Sequence, residues 1–516
     1  MLAACLAADE RARVCLLERS SLFGGSTAVS GGMAWVPNNP HLRDVDSTDS
    51  PADALTYLRR VAGHRADSTL LESFVAAAPE MVGYLEEATP VRFVALDRPD
   101  YHPEWEGARM GRTLEPLPCS TSELGPLAKR LRASSTRPPL TFTELREGDE
   151  AHNRALADDR NSRQIRTQGG ALAAGLLRAC ADRGVVLCPD SHVLDLLSDK
   201  GRVTGVVAQM EGSERKIAAR KGVVLASGGF EWNKALTDAF LPGFAGVNTT
   251  PPWNEGDGLL MGLRLGAAIA NMTEAWWTAA VQLPGETYDD RPLARNIVSE
   301  LARPGSIVVN RRGERFVNEA TNYHDLGKAF LAFDPAAGEY INSEAWLVFD
   351  TAFQQRYSVA SIPAKAKLPE WVITAGTLKD LAQMTGIDPA GLTATVTNFN
   401  HAADAGQDPD FHRGESLHDR FYGDSNHQPN PCLGSIRGPS FHAIPVRLGA
   451  LGTKGGLCVD AAGRVLSPDG APLPGLYACG NVTASAMGLG YPGAGGTLGP
   501  ILAAAYLCGQ SAARGD

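Results

Sequence analysis

The sequence predicts an α/β fold, in which a Rossmann-like dinucleotide-binding domain contains a second, inserted α+β domain. Three segments support this prediction. An apolar strand at residues 13–17 closes on Glu18, and a buried strand at 222–225 runs into the small residues 226–229. A last strand, 474–481, is followed by a glycine-rich segment and an apolar helix. Strands that end on an acid or on glycines beside a helix N-terminus are typical of nucleotide sites.

The composition narrows the class of protein. The chain has 516 residues, of which 44% are hydrophobic and 21% charged, and this suits a globular protein of more than one domain. The formal net charge is -10 without a basic stripe, so nucleic acid is not an expected partner. Apolar segments are shorter than the roughly 18 residues of a membrane span, so we expect no stable span and a cytoplasmic location. The 9 cysteines lack metal-ligand spacing, and we predict no metal site.

The N-terminal segment matches only part of a nucleotide-binding βαβ unit. It contains the end of a helix, the strand at 13–17 and Glu18, whose carboxylate suits the hydroxyls of an adenosine ribose. No first strand and no G-x-G-x-x-G loop, which would present backbone N–H groups to a pyrophosphate, precede them. Two explanations stay open: the chain is a truncated form of a longer one, or it has degenerated and binds its cofactor poorly.

Two small-residue turns come after this strand. Residues 24–26 (Gly-Gly-Ser) and 30–32 (Ser-Gly-Gly) let the main chain approach a flat or phosphorylated ligand. The alternative is a glycine-rich surface loop. Ser50 and Pro51 then predict a helix start, because a hydroxyl cap followed by proline suits the first turn.

The middle of the chain combines irregular and regular segments. Residues 92–165 have little periodicity and are predicted to form connections around the substrate. A helix is expected over 168–183 and a strand over 185–188, followed by a hairpin of 192–197 with 202–209. Asp257 begins an apolar helix, and it is interpreted either as a cofactor contact or as an N-cap.

A change in amino-acid composition defines the inserted domain. Residues 277–442 are richer in aromatic and polar residues, and a capping box at 377–380 predicts a helix that stops at Gly386. A strand, turn and strand over 306–310 and 313–319 are expected to lead to Tyr323. The predicted division of the chain is 1–276, 277–442 and 443–516.

Residues 488–500 (GLGYPGAGGTLGP) carry the most informative pattern. They precede an apolar helix that begins near Thr497 and runs to Ala513. The free N–H groups and the dipole at this N-terminus favour the negative charge that a reduced flavin carries on its pyrimidine edge.

With these residues in view, the chain resembles the 3-ketosteroid Δ1-dehydrogenases, FAD enzymes that share a fold with the fumarate reductase and succinate dehydrogenase flavoproteins. The resemblance runs from Met1 to near the C-terminus but lacks the first strand and glycine loop. Its most specific segments are SGGMAWVPN, PDYHPE with the Gly-Arg pair at 111–112, ERFVNEATNY, FHRGE, LGTKGG, GLYACGN and GYPGAGG. It implies FAD as cofactor, a 3-ketosteroid as substrate and 1,2-dehydrogenation as reaction, and leaves the electron acceptor open.

The resemblance also assigns roles to individual residues. Tyr323 is the base that takes the proton from carbon 2, and Tyr101 beside it makes it more basic. Tyr491 and the N–H of Gly495 hold the 3-keto oxygen while flavin N5 receives hydride from carbon 1. The residues expected to contact FAD are Glu18, Gly24, Gly25, Ser26, Ser30, Gly31, Gly32, Val193, Ala226, Gly228, Asp257, Gly480, Asn481, Gly496, Thr497 and Leu498.

The proposed chemistry explains these residue types. Hydride loss from an unactivated carbon is difficult unless the neighbouring carbon bears enolate charge, which two donors on the keto oxygen stabilise. A phenol has a pKa of about 10, so a tyrosine base needs a lowered pKa or a partner that shares its proton.

Three other functions stay open. A 4-ene (5α) 3-ketosteroid dehydrogenase shares the fold and the keto-oxygen binding, and a flat cyclic ketone other than a steroid fits equally well. A fumarate-reductase-like enzyme clamps a dicarboxylate with His and Arg, but no histidine stands just before the turn at 453–456, and His442 and Arg447 do not rebuild the clamp. The third is a non-catalytic, truncated paralogue without a phosphate loop.

Overall fold

The fold is a mixed α/β arrangement, and a computed structural model describes residues 1–515 of it. The α-helices are α1 Leu2–Asp9, α2 Gly25–Val29, α3 Pro51–Ala62, α4 Ser68–Ala88, α5 Phe142–Glu147, α6 Glu150–Ser162, α7 Gln168–Asp182, α8 Lys234–Phe240, α9 Asp257–Arg264, α10 Ser299–Ala302, α11 Tyr323–Ala329, α12 Thr351–Arg356, α13 Leu378–Thr385, α14 Pro389–Ala405, α15 Leu417–Tyr422 and α16 Leu498–Arg514.

The strands complete the element order. They are β1 Cys15–Leu17, β2 Ala34–Trp35, β3 Phe93–Ala95, β4 Thr113–Pro116, β5 Cys119–Ser120, β6 Ile165–Arg166, β7 Val186–Cys188, β8 Ser191–Asp199, β9 Arg202–Met210, β10 Ser213–Ala218, β11 Val223–Leu225, β12 Val247–Asn248, β13 Ile269–Ala270, β14 Ala275–Tyr288, β15 Arg291–Asn296, β16 Ser306–Asn310, β17 Phe333–Asp334, β18 Glu339–Tyr340, β19 Ala345–Asp350, β20 Ile373–Ala375, β21 Phe441–Thr453, β22 Gly456–Leu457, β23 Arg464–Leu466 and β24 Pro472–Ala478.

Small sheets accompany one large sheet. β1 pairs in parallel with β7, and β11 pairs in parallel with β24, so Ala226 and Gly480 follow strands that end at the same edge. The predicted hairpin is confirmed, because β8 pairs antiparallel with β9, which also pairs with β10. The large sheet has the order β15-β14-β21-β19-β16, with β12 and β20 beside β21.

β14 separates two hydrophobic cores. Trp277 packs with Phe349 and Leu448 in the core around the large sheet, whereas its neighbour Trp276 packs with Trp35 and residues of α3, α4 and α16. Successive side chains of a strand point to opposite faces, so one strand serves both cores. Tyr101 and Tyr491 belong to the second core. Among residues 1–515, no helix is both long and apolar enough to cross a membrane.

Local capping explains where several helices begin. The Ser50 hydroxyl accepts a hydrogen bond from the Asp53 N–H at 3.1 Å, with Pro51 in the first turn, as predicted. Thr377 caps α13 in the same way, and α13 ends at Gly386 in a left-handed conformation, also as predicted.

Two segments differ from the sequence-based expectation. The second strand expected at 313–319 is wrong: only one bridge, between Val309 and Arg315, forms there. The Glu319 carboxylate instead accepts a hydrogen bond from the Val308 N–H at 3.1 Å, replacing a strand partner. Residues 92–165 contain β3, β4, α5 and α6 as well as connections. A capping box of Thr141 with Glu144 starts α5.

Candidate active site

The three tyrosines singled out in the sequence meet in one cluster. Ring centroids are 5.6 Å apart for Tyr101 and Tyr323, 5.5 Å for Tyr101 and Tyr491, and 5.3 Å for Tyr323 and Tyr491. Tyr101 and Tyr491 are buried, whereas Tyr323, at the start of α11, is partly exposed. Side chains from three distant segments therefore converge on one position.

An ion pair ties the Tyr101 loop to the start of α11. His102 Nε2 lies 3.1 Å from Asp325 Oδ2, and Asn322 caps α11 by accepting from the Asp325 N–H at 3.0 Å. Burial works against the imidazolium, but hydrogen bonds to Asp325 and Glu104 raise the pKa of His102 to about 9. Tyr101 and Tyr323 are thus held beside each other through the residues that follow them.

A second set of contacts holds the Tyr491 segment. The Tyr101 N–H and the Tyr57 hydroxyl both donate to the Pro492 carbonyl, at 3.0 and 2.7 Å. Lys454 Nζ donates to the carbonyls of Gly488 and Gly490, at 3.0 and 2.6 Å. Burial lowers the pKa of Lys454 to about 7. This lysine of the LGTKGG motif was not assigned a role from sequence, and here it fixes the backbone ahead of Tyr491.

Two donors expected at the ketone oxygen lie close together in the chain. The Tyr491 hydroxyl is 2.9 Å from Thr497 Oγ1, and burial raises its pKa to about 12. Gly495 has a φ of 88°, and a Cβ there would lie 2.6 Å from the Met33 carbonyl oxygen and the Trp35 nitrogen. No side chain fits at that position, so glycine is required by packing.

The phenols respond differently to their surroundings. The pKa of Tyr323 lies well above its ordinary value, because burial and the neighbouring phenols Tyr101 and Tyr491 all disfavour its anion. Burial also raises the pKa of Tyr101, but the charge of Arg98 and the hydroxyl of Tyr323 oppose this rise. Tyr101 is therefore the phenol with the more favourable environment for negative charge.

Arg112 and Arg98 were not recognised as site residues from sequence. Arg112 is fully buried and pairs with Asp49 and with Asp100, whose Oδ1 accepts from Trp35 Nε1 at 2.7 Å. Burial raises the pKa of Asp100 to about 6. This network fixes the backbone just before Tyr101. The sequence signals were proximity to the PDYHPE motif and, for Arg112, its place in the Gly-Arg pair at 111–112.

The glycines expected to contact FAD fall into two groups. A Cβ on Gly25, Gly31 or Gly480 would meet no atom within 4 Å, so these three border open space. A Cβ on Gly24, Gly32 or Gly228 would lie within 3 Å of Ala28, Gly169 or Asn254, respectively. The first group fits the surface of a flat cofactor, and the second group is explained by packing. Gly496 is likewise tight against Pro492.

The other residues expected to contact FAD differ in their surroundings. Glu18 accepts from the Ser20 N–H at 2.9 Å, and burial raises its pKa. Ser26 Oγ accepts from Asn254, and Ser30 Oγ donates to the Thr27 carbonyl. Ala226 is exposed directly after buried Leu225. The remaining positions are Val193 in β8, Asn481, which accepts from Trp276 Nε1, and Thr497 and Leu498 at the start of α16.

Of the two interpretations of Asp257, the N-cap does not hold, and the contact with FAD stays a prediction. Gly256 is the N-cap of α9, and Asp257 is the first residue of the helix. Its carboxylate lies 3.0 Å from Arg19 Nη1 and 3.1 Å from His192 Nε2. The acid is thus engaged by two side chains from the segments after β1 and β7.

The site defines a flavoprotein, and comparison with known proteins agrees. The chain matches the FAD binding domain family over residues 1–498, and FAD is its cofactor. It is 41% identical to the 4-oxocyclohexanecarboxylate 2-dehydrogenase of Sinomonas cyclohexanicum, over 99% of this chain and 90% of that one. It is 34% identical to the 3-oxosteroid 1-dehydrogenase of Mycolicibacterium smegmatis, over 98% and 94%.

A solved structure is similar over the whole chain. The 3-ketosteroid Δ1-dehydrogenase of Sterolibacterium denitrificans, in complex with 1,4-androstadiene-3,17-dione, superimposes with a TM-score of 0.94 at 34% identity, covering 100% of this chain and 97% of that one. The chain belongs to the 3-ketosteroid Δ1-dehydrogenase family of FAD-dependent oxidoreductases.

Proposed function

We propose that this enzyme introduces a double bond beside a ring ketone, and specifically that it dehydrogenates 3-ketosteroids between carbons 1 and 2. The observation that carries this proposal is the cluster of Tyr101, Tyr323 and Tyr491, with centroids 5.3–5.6 Å apart, beside Gly495. Formation of an enolate needs hydrogen-bond donors at the ketone oxygen and a base at the neighbouring carbon, and the cluster offers both.

Each residue has a distinct task in the proposed reaction. The Tyr491 hydroxyl and the Gly495 N–H bind the ketone oxygen and stabilise the negative charge that develops on it. Tyr323 takes the proton from carbon 2, and the hydroxyl proton of Tyr323 moves to Tyr101. Bound FAD supplies the acceptor for the hydride of carbon 1.

The proposed FAD site follows the open space bordered by glycines. We propose that Glu18 binds the ribose, that residues 24–26 and 30–32 approach the cofactor, and that the N-terminus of α16 faces the flavin. β1 with β7 and β11 with β24 would be parts of one Rossmann-like arrangement. The proposed inserted domain, 277–442, is joined to the rest by β14 and β21, which cross its two boundaries.

A smaller ketone that carries a carboxylate is the second candidate substrate. The relative with 41% identity is named for 4-oxocyclohexanecarboxylate, and an arginine in this chain suits such a group. Arg137 donates to Gln168 Oε1 at 3.3 Å, and its charge interacts with Tyr323 and with Glu300. A steroid has no carboxylate near its ketone ring, so it would offer no anionic group to this arginine.

A substrate screen distinguishes the candidates. The FAD-loaded enzyme is mixed without oxygen with a 3-ketosteroid, 4-oxocyclohexanecarboxylate or the methyl ester of that acid, and bleaching of the flavin is followed. Bleaching by the steroid, with a product that has a new 1,2 rather than 4,5 double bond, supports the first proposal. Bleaching by the free acid alone supports the second. If no ketone bleaches the flavin, both proposals are wrong.

A further inference from the structure

Arg98 is a buried cation in the wall of the tyrosine cluster. Its side chain is 4% exposed, and its guanidinium carbon lies 6.0 Å from the ring centroid of Tyr101. Three more rings surround it at 5.1–5.5 Å: Phe142, Phe421 and Tyr422. A guanidinium carries its charge at any physiological pH, so this is a fixed positive charge beside the phenols.

The guanidinium of Arg98 has no anionic partner. It donates from Nη1 to the Met33 sulfur at 3.4 Å, and its Nε has no hydrogen-bond partner. The other buried arginines of residues 1–515 each pair with a carboxylate. These pairs are Arg112 with Asp49, Arg132 with Asp289, Arg160 with Glu144 and Arg413 with Glu319. Burial of an unpaired charge is costly, and aromatic faces compensate only part of that cost.

The ring of Tyr101, which Arg98 faces, carries a hydroxyl group. It is buried and has no hydrogen-bond partner within residues 1–515. We propose that Arg98 is the counter-ion of the negative charge that the Tyr101–Tyr323 pair carries when it acts as the base. The inference rests on the proposed function, because it takes Tyr323 as the group that meets the substrate.

The proposed charge distribution agrees with the phenol environments. Arg98 opposes the rise in the pKa of Tyr101 that burial causes. The main causes that raise the pKa of Tyr323 are burial and the two neighbouring phenols, and no cation is among them. The first proton lost from the pair therefore leaves Tyr101. When the C–H bond at carbon 2 breaks, its electron pair forms the enolate, its proton binds the Tyr323 oxygen, and the Tyr323 proton moves to the Tyr101 phenolate. The pair ends neutral, and loss of one proton to solvent restores it.

Other charged or titratable groups face the pair. His418 contacts Tyr101 edge-on at 5.0 Å, and burial lowers its pKa, which favours the neutral ring. Asp325 is neutralised by His102, and Asp100 by Arg112. The remaining titratable groups that face the Tyr101–Tyr323 pair are Tyr491 and Arg137. Since Arg137 is exposed and bound to Gln168, Arg98 is the buried, unpaired cation of the set.

Removal of the Arg98 charge tests the proposal. In Arg98→Met, the rate of anaerobic flavin bleaching should fall at least about tenfold near pH 8 and recover towards the wild-type rate as pH rises, because the pair then ionises only at higher pH. Arg98→Lys keeps a charge and should restore most of the rate. Arg146→Met is the matched control, since Arg146 lies 4.0 Å over the same Phe421 ring but is exposed. An unchanged profile in Arg98→Met, or an equal loss at every pH, would overturn the proposal.

A spectroscopic titration makes the test independent of turnover. The ultraviolet absorption of tyrosinate is followed against pH, and the ionisation of Tyr101 is identified as the step that Tyr101→Phe abolishes. That step should lie at a lower pH in the wild-type enzyme than in Arg98→Met. The same midpoint in the two enzymes would contradict the counter-ion role. If no ketone bleaches the flavin while this titration behaves as expected, the proposed function fails and the charge assignment stands.

Discussion

Tyr101, Tyr323 and Tyr491 carry the same functional group but face different neighbours. Tyr491 is bound to Thr497, Tyr323 is next to two other phenols, and Tyr101 is next to Arg98. Environment decides which phenol donates a hydrogen bond and which accepts a proton, because all three have the same pKa in water. A residue-scale test therefore has to remove one hydroxyl at a time.

Tyr323→Phe removes the proposed base and leaves the ring. We expect the rate of flavin bleaching by the best ketone to fall by about 10²–10⁴, the range for loss of a general base. Stopped-flow absorbance measures this rate, and the ratio of flavin to protein should stay at the wild-type value. Tyr506→Phe is the control, because Tyr506 packs on Tyr84 outside the cluster. Wild-type bleaching by Tyr323→Phe would show that another group is the base.

Gly495→Ala tests the proposed ketone-binding amide. The methyl group would lie 2.6 Å from backbone atoms of Met33 and Trp35 at a φ of 88°, so the backbone must shift away from its position. Loss of one such donor typically costs about 10²–10³ in rate. Gly470→Ala is the control, since Gly470 has a φ of 82° and open space around it. Equal effects of the two variants on bleaching would contradict the assignment.

At the scale of elements, one ion pair joins α11 to the loop between β3 and β4, which carries Tyr101. His102 follows Tyr101 and Asp325 follows Tyr323 by two residues, so their contact sets the distance between the two phenols. The pKa of His102 is raised in the folded state, from an ordinary value of about 6.5. Its contribution to stability is therefore complete below about pH 6.5 and disappears as pH rises through about 9.

The variant His102→Gln should be less stable than the wild type at low pH but not at high pH. At pH 6 we expect the free energy of unfolding to fall by about 1–3 kcal/mol, and above pH 9 the difference from wild type should largely vanish. Urea unfolding at the two pH values measures both quantities. His412→Gln is the control, because the His412–Glu415 pair is exposed and should contribute less than about 1 kcal/mol. A difference that grows with pH would contradict the role of the ion pair.

At the scale of the whole molecule, the cofactor and the fold stabilise each other. Segments after β1, β11 and β24, together with the N-terminus of α16, border the proposed FAD site, so bound FAD contacts several parts of the chain. A ligand present at 100 times its dissociation constant adds about 2.7 kcal/mol to the free energy of unfolding. Thermal unfolding should therefore depend strongly on the concentration of FAD.

Gly31→Val tests this site without disturbing the packing of the apoprotein. A Cβ at Gly31 meets no atom within 4 Å, so the variant without cofactor should unfold within about 0.5 kcal/mol of wild type. Its affinity for FAD, measured by fluorescence quenching, should fall at least about tenfold, because the side chain occupies the space proposed for the cofactor. Unchanged affinity would show that FAD lies elsewhere.

Much of the site was predictable because its residues stand in local motifs. Tyr101, Tyr323 and Tyr491 were named from PDYHPE, ERFVNEATNY and GYPGAGG, alternating residues predicted β8 and β9, and a capping box predicted α13.

The second strand expected at 313–319 is wrong, and of the two interpretations of Asp257 the N-cap does not hold. Glu319 pairs with Arg413, and Asp257 pairs with Arg19. Both arginines lie far along the chain from these acids, and a local pattern contains no information about such partners.

The sequence by itself determined the family, the FAD cofactor and the identity of the three tyrosines, because short segments with fixed residue types encode them. The tertiary structure alone decided which charges face those tyrosines. Arg98 lies without a carboxylate partner among Phe142, Phe421 and Tyr422 from distant segments, and Lys454 donates to the carbonyls of Gly488 and Gly490 ahead of Tyr491. Burial and pairing are properties of the packed chain, and they set the electrostatics on which the proposed chemistry depends.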